Sequence, residues 1–337
     1  MKLKEQLWKR IRAQGKSIQT AKTYWGWFER YLRFVKERDG RWRHPKELGR
    51  DDVQAWLSSL ANEHWVSPNT QNVALQSALY VYREVLGKPI QGVNALRAKA
   101  PQRVRDVLDV EEVSALFDEL DGLELLVAQL MYGCGLRIGD VVGLRIKDVS
   151  FSRKQLHIWD GKGYKDRVTQ FPEVLHERMK EQMEVMRAQW QRDRHEGRNG
   201  VSLPFAWGRK SPSSHLDYAW WYVFASDKYS RSPENGKWLR HHRDRSHLSR
   251  KISQASKRAG IGKRITSHNL RHSFATHSSE QGIPVATLAK LLGHSSIQTT
   301  ETYLHVSKDG ATASKSPLEH LLRHPPRTTR NLARKTG

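Results

Sequence analysis

Ser267-His-Asn-Leu-Arg-His-Ser-Phe-Ala-Thr-His277, Leu291-Leu-Gly-His-Ser295 and Thr300-Glu-Thr-Tyr303 are the three blocks whose reading decides the fold. They deliver, in order, two histidines bracketing an arginine and then a late tyrosine. His268 and Arg271 are three apart, so on a helix they share a face and can address one phosphate. Tyr303 can attack a phosphodiester. Arg271 can neutralise charge spreading over the non-bridging oxygens, and the imidazoles of His268 and His294 can hydrogen-bond those oxygens or move protons.

Working back along the chain, Gly133-Cys-Gly-Leu-Arg137-Ile-Gly-Asp140 follows the apolar run Leu123 to Met131. Arg137 therefore falls at a glycine-loosened helix junction, where a guanidinium can offer bidentate contacts to an oxyanion. Asp140, one turn later, is placed to orient it. Gln155-Leu-His-Ile-Trp-Asp160, Gly161-Lys-Gly163 and Arg167-Val-Thr-Gln-Phe171 predict a β-hairpin with Lys162 on its turn. A mobile lysine there suits protonation of a leaving oxygen, and Lys165 in the same loop is the other candidate. Singly, each of these residues has an ordinary reading as a cap, a turn lysine or a packed ring. The joint pattern does not.

Arg137, Lys162, His268, Arg271, His294 and Tyr303 in this order resemble the active-site pattern of tyrosine recombinases, a resemblance covering roughly residues 15 to 320. It implies a mainly α fold with a small antiparallel β-sheet, built as a two-domain C-clamp. A helical core-binding domain is joined to an α+β catalytic domain. It also implies attack by Tyr303 on DNA to give a 3′-phosphotyrosyl link and a free 5′-hydroxyl. Bond energy stays in that link, so no nucleotide cofactor and no metal is expected.

The chain has 337 residues, which suggests about two domains. Its 58 Lys and Arg against 35 Asp and Glu give a net charge of +23, spread through the folded part, which points to a polyanionic partner. A single cysteine excludes a disulfide framework and a cysteine-based zinc cluster. No stretch approaches the ~18 apolar residues of a membrane span, and the N-terminus lacks a signal-peptide core. A cytoplasmic, nucleoid-associated bacterial protein is expected.

Ile18, Ala21, Trp25, Phe28, Leu32 and Val35 alternate three and four apart and predict an amphipathic helix over 17–38. Asp51-Asp52 opens a second with Val53, Trp56, Leu57 and Leu60. Ser67-Pro68 caps a third that carries Leu75, Ala78, Tyr82 and Val85 and ends at Gly87. This block resembles the family's core-binding (SAM-like) domain, assigned to residues 1–97, with Thr70-Gln-Asn72 as a DNA-facing polar patch. Residues 98–108 form a linker in a basic stretch (Lys88, Arg97, Lys99, Arg103, Arg105) suited to phosphates. Asp109 and Glu112 make a capping box that opens the catalytic domain, 109–322. A basic, Pro-interrupted tail occupies 323–337.

An insertion at about 200–245 narrows the resemblance. Leu203-Pro-Phe-Ala-Trp-Gly-Arg-Lys210, Tyr218-Ala-Trp-Trp-Tyr-Val-Phe224 and Leu239-Arg-His-His242 interleave aromatics with cations, as stacking on unpaired bases requires. With Arg250 to Ser253 and Ser316-Pro-Leu-Glu319, this block resembles the extra segment of integron integrases. That resemblance implies contacts to extrahelical bases at Lys210, Trp220, Pro233 and His241, with His242 the alternative to His241. Trp221, Tyr222 and Phe224 are expected to form a satellite core. Ala225, Ser278-Ser279 and Leu304 depart from the family pattern, and the serine pair predicts looser helix packing there.

The function implied is site-specific recombination that integrates and excises gene cassettes. The enzyme would act as a homotetramer on two DNA sites, one an attC-type folded single strand and one an attI-type duplex. A Xer-like or phage-type recombinase on duplex sites is the alternative. A type IB topoisomerase shares the chemistry but lacks the insertion. A non-catalytic architectural DNA-binding protein is the alternative from another class, against which all six catalytic positions are present.

Overall fold

The computed structural model describes residues 2–93, 106–161, 165–232, 236–294, 300 and 318, and the chain divides into two compact units, 1–103 and 104–337. Lys162, Pro233 and Tyr303 lie outside the described residues.

The first unit is four helices: α1 (Leu3–Ala13), α2 (Ile18–Asp39), α3 (Arg50–Asn62) and α4 (Pro68–Glu84). The expected stripe of α2 points inward at Ala21, Phe28 and Val35, with Tyr31 added between them. Ser17 and Ser67 cap α2 and α4 by accepting the N–H of Thr20 at 3.1 Å and of Thr70 at 3.3 Å. Helix α1 was not anticipated. It fully buries Leu7 and Ile11, one turn apart, with Leu3 and Trp8 partly buried beside them, and their value appears only once α2 and α4 cover them.

The polar patch expected at the start of α4 is corrected at one position. Gln71 is buried and donates its amide N–H to the Leu57 carbonyl at 3.0 Å, because it lies three and four residues before Ala74 and Leu75 on the buried stripe. Asn72 is exposed and Thr70 half-buried.

The second unit opens with α5 (Val110–Asp118), where the Asp109 N–H donates to Glu112 Oε2 at 2.9 Å, the expected capping box. It continues through α6 (Gly122–Cys134), α7 (Ile138–Gly143), a sheet of β1 (Val149–Ser150), β2 (Gln155–Gly161) and β3 (Lys165–Gln170), α8 (His176–His195) and α9 (Phe205–Lys210). Then come β4 (Ala225–Arg231), β5 (Trp238–His242), α10 (Arg245–Arg258), α11 (Ser267–Glu280) and α12 (Val285–Leu292). The hairpin β2–β3 forms as the sequence predicts, antiparallel with Leu156 opposite Thr169 and Ile158 opposite Arg167. A single sheet was expected; β4 and β5 pair into a second antiparallel ribbon inside the insertion. Its bulge between Ala225 and Tyr229 breaks the period-two pattern that would have announced it.

Helix α11 is the axis of this unit, with Leu270, Phe274 and Ala275 fully buried against α6. Ser278 and Ser279 are buried as well, so the looser packing expected there is not what forms; small side chains let α11 sit close to its neighbours. Gly135 ends α6 at φ 65°, and a β-carbon there would meet the Phe274 ring at 2.5 Å. Only glycine satisfies both demands. Among the described residues no helix is long and apolar enough to cross a membrane.

Candidate active site

Arg137 occupies the residue before α7, and its backbone N–H donates to Asp140 Oδ2 at 3.0 Å. Its guanidinium Nη1 is 3.9 Å from the same oxygen. Asp140 thus orients Arg137 chiefly through the main chain. The shorter ion pair of that carboxylate is with Arg167 of β3, Nη2 to Oδ2 at 2.6 Å. Arg167 also donates from Nε to the Leu291 carbonyl at 3.1 Å, reaching the last turn of α12.

Arg271 on α11 is only 2% exposed. Its Nη1 donates to the Gly135 carbonyl and its Nη2 to the Leu292 carbonyl, each at 2.5 Å. Nη2 also lies 3.2 Å from His294 Nε2, and His294 Nδ1 is 2.8 Å from the Thr300 hydroxyl. Arg271 is therefore the joint between the segment leading to Arg137 and the segment leading to His294. A guanidinium held at both ends is preorganised: it needs no reorientation when charge develops on a bound phosphate. Gly293 ends α12 at φ 64°, and a β-carbon there would meet the Arg167 side chain, Cδ at 2.7 Å.

His268 stands exposed on the first turn of α11, its ring edge-on to His272 with centroids 4.9 Å apart. His277, further along α11, is buried and bonded through Nδ1 to the Tyr132 hydroxyl at 2.9 Å, so it belongs to the core. The structure brings Arg137's segment, Arg271 and His294 together and places His268 one turn ahead of Arg271. Lys165 begins β3.

A second feature lies beside Asp140. A recess of about 870 Å³ opens between the outer face of β2 and the insertion, lined by His157, Trp159, Trp207, Trp220, Tyr222, His242 and Arg245, with Gly139 and Asp140 at its edge. Strand alternation creates one wall: Leu156 and Ile158 point to the core, so His157 and Trp159 point out. Trp159 remains 52% exposed, with its indole N–H fixed on Asp148 Oδ1 at 2.7 Å. Trp220 makes the facing wall, half-buried and 5.1 Å from the Trp207 ring. Its carbonyl accepts from Arg145 Nη1 at 2.6 Å, which locks the insertion to the catalytic unit.

Trp221 and Tyr222 form the expected satellite core with Met186 and Val201, whereas Phe224 joins the main core. His242 lines the recess, while the neighbouring His241 lies with Nδ1 3.2 Å from the Ser202 hydroxyl. Lys210 is exposed at the end of α9. Strand β5 is pinned by Arg240, which is buried and bidentate on Asp193 at 2.5 and 2.7 Å. The Tyr229 hydroxyl donates to the same carboxylate, and burial pushes it up to about 12. Sequence reasoning missed Arg167, Thr300, Trp159, Arg145 and Lys147, and it placed Trp207 in the aromatic block without singling it out. Of those missed, only Trp159 carried a signal, as a large aromatic on the polar phase of a strand.

Residues 106–309 match the phage integrase family, and residues 3–92 match the phage integrase N-terminal SAM-like domain. The chain belongs to the phage integrase family of tyrosine recombinases. Integrase/recombinases from Escherichia coli and from Pseudomonas aeruginosa are each 39% identical over 330 residues, spanning 98% of this chain and 96% of theirs. The tyrosine recombinase XerA of Thermococcus onnurineus is 29% identical, over 87% of each chain. In fold, the chain is similar to a lambda integrase (75–356) dimer bound to a COC′ core site, with TM-score 0.59, 16% identity and coverage of 91% and 95%. It is also similar to the XerH site-specific recombinase bound to palindromic difH substrate, with TM-score 0.55, 18% identity and coverage of 90% and 82%. The recombinase is thus an enzyme that cleaves and rejoins DNA through a tyrosine intermediate.

Proposed function

We infer that the recombinase is an integron integrase, integrating and excising gene cassettes as a homotetramer on two DNA sites. One site is a cassette strand folded on itself with extrahelical bases, and the other is a duplex. The observation that carries this reading is the aromatic recess between β2 and the insertion. Trp159 and Trp220 offer flat apolar faces in a recess edged by Gly139 and Asp140, and an unpaired base has a face to stack on them whereas a paired base already stacks on its neighbours. His242 and Lys210 supply polar and cationic partners at the rim and beyond it, with Pro233 and His241 as further candidates.

In the chemistry, Tyr303 Oη attacks phosphorus, the bond to the 5′-oxygen breaks, and a 3′-phosphotyrosyl link forms. Arg137, Arg271 and His294 stabilise the pentacoordinate phosphate. Lys162 protonates the departing 5′-oxygen, and His268 assists transfer of the phenol proton. A phenol of ordinary pKa ~10 is a weak nucleophile at neutral pH, so the two guanidinium groups and the imidazole carry much of the activation. The later attack of a 5′-hydroxyl on the link reverses these steps with a partner strand.

The test is a recombination assay with each separate strand of a cassette site, folded, and with the same site as duplex. Recombination of one folded strand well above the duplex is expected. Equal or better use of the duplex would replace this reading with a Xer-like or phage-type recombinase.

A further inference from the structure

The turn Arg145-Ile-Lys-Asp148 builds both walls of the recess. Arg145 holds the Trp220 carbonyl, and Asp148 holds the Trp159 indole N–H. Between these two anchors in sequence lies Lys147, whose ammonium rests 4.4 Å from the centroid of the Trp220 ring and 4.7 Å from that of Trp159. It is tethered there by Asp148 Oδ1 at 3.1 Å. Asp148 is itself nearly fully buried and also accepts the Arg145 N–H at 2.9 Å. One short segment thus fixes two indoles and sets a cation on both. An ammonium on an aromatic face is held by the ring quadrupole, and a base that stacks on that face must move it.

We propose that Lys147 is the specificity-determining gate of this recess. In the free protein its ammonium covers the faces of Trp159 and Trp220, and an entering unpaired base displaces it onto the phosphate of the same nucleotide. The inference rests on the reading of the recess as a base site. Physically, the exchange keeps the cation paired throughout: it trades two indole faces and the Asp148 carboxylate for a phosphate. DNA without an unpaired base has nothing to exchange, so the lysine stays on its rings. The gate therefore makes one phosphate contact conditional on a bulged base.

A conditional phosphate contact shows in salt dependence. Each neutralised phosphate adds about 0.9 to the slope of log affinity against log salt, which is about a three- to fourfold loss between 50 and 200 mM. Dissociation constants of full-length wild type, Lys147→Met and Lys147→Gln are to be measured at both salt concentrations. The probes are a hairpin with 2-aminopurine as its bulged base, the same hairpin without the bulge, and a duplex site. Both variants are expected to lose about three- to fourfold of salt sensitivity on the bulged hairpin alone. An equal loss on all three DNAs would make Lys147 an ordinary phosphate contact, and no loss on any would mean the ammonium does not move; either overturns the gate. The 2-aminopurine emission separates the two readings. Quenching with wild type shows the base entering, so a failed salt prediction then counts against Lys147 only. Unquenched emission with equal binding of bulged and unbulged hairpins removes the base site and the gate together.

Discussion

Arg167 and Asp140 form an ion pair of 2.6 Å that sits between the segments of Arg137 and His294, the two halves of the candidate active site. Asp140 accepts the Arg137 N–H, and Arg167 donates to the Leu291 carbonyl, three residues before His294. Neither side chain is more than slightly exposed. The pair thus sets the separation of Arg137 from His294 while Arg271 bridges the same two segments through the Gly135 and Leu292 carbonyls.

Replacing Arg167 by lysine keeps a charge for Asp140 but removes the fork that reaches Leu291. Cleavage of a nicked suicide substrate is expected to slow by about 100-fold, the scale of a 1 Å misplacement, while DNA affinity changes little. Arg167→Met removes the shorter ion pair of Asp140 and leaves that carboxylate only the Arg137 N–H and the more distant Arg137 guanidinium, so unfolding free energy falls by about 1–3 kcal/mol. A lysine variant that cleaves at the wild-type rate would show that the pair does not position the site.

Tyr303→Phe removes the proposed attacking oxygen and little volume. Covalent protein–DNA adducts should disappear on the suicide substrate while gel-shift binding survives. Adducts persisting in this variant would move the nucleophile elsewhere.

The general acid is assigned by a chemical rescue. A 5′-bridging phosphorothiolate places sulfur in the leaving group, which departs without needing a proton. Cleavage lost in Lys162→Ala should return on that substrate. Rescue of Lys165→Ala in its place would transfer the role to Lys165.

Stability should depend on pH through His277. Burial holds its imidazole below the usual range, with Asp109 and Glu111 opposing that shift, and its Nδ1 is bonded to the Tyr132 hydroxyl. The unfolded chain therefore binds a proton near pH ~6.5 that the folded chain takes up only at lower pH. The contribution is complete above that value and is lost as pH falls through it. Glu280, whose carboxyl burial raises, acts with the opposite sign but is common to both proteins in a His277→Gln comparison. Urea unfolding at pH 7.5 and 5.5 should show wild type losing stability relative to the variant at the lower pH. A constant difference would place the titration elsewhere.

Local physics made much of this molecule legible in its sequence. The stripe of α2, the Ser67 cap, the Asp109–Glu112 box and the hairpin each depend on residues within a few positions of one another. Arg137 was placed at its junction by the glycines around it. What was not legible depends on distant partners. Arg167 acquires its role from a carbonyl 124 residues away, and Gln71 turns inward because α3 offers it a carbonyl. The β4–β5 ribbon hid behind its bulge, and Trp159 read as a strand aromatic until the insertion supplied a facing wall.

The two walls of the recess make the sharpest test of the substrate. Trp220 packs partly on the satellite core, so its loss can act through folding as well as through stacking. Trp159 does not share that ambiguity: it is more than half exposed and lies outside that core. Alanine at either position should weaken binding to a hairpin with bulged bases by about 1–3 kcal/mol, about five- to 150-fold, and leave duplex binding nearly unchanged. Trp159→Ala removes one hydrogen bond to Asp148, which keeps Lys147 and the Arg145 N–H, so only a small fall in melting temperature is expected. Trp220→Ala is expected to lower the melting temperature modestly, so its hairpin-to-duplex ratio is the quantity to compare. If both variants lose affinity equally on hairpin and duplex, the tryptophans serve the fold alone and recognition of unpaired bases must be sought elsewhere on the protein.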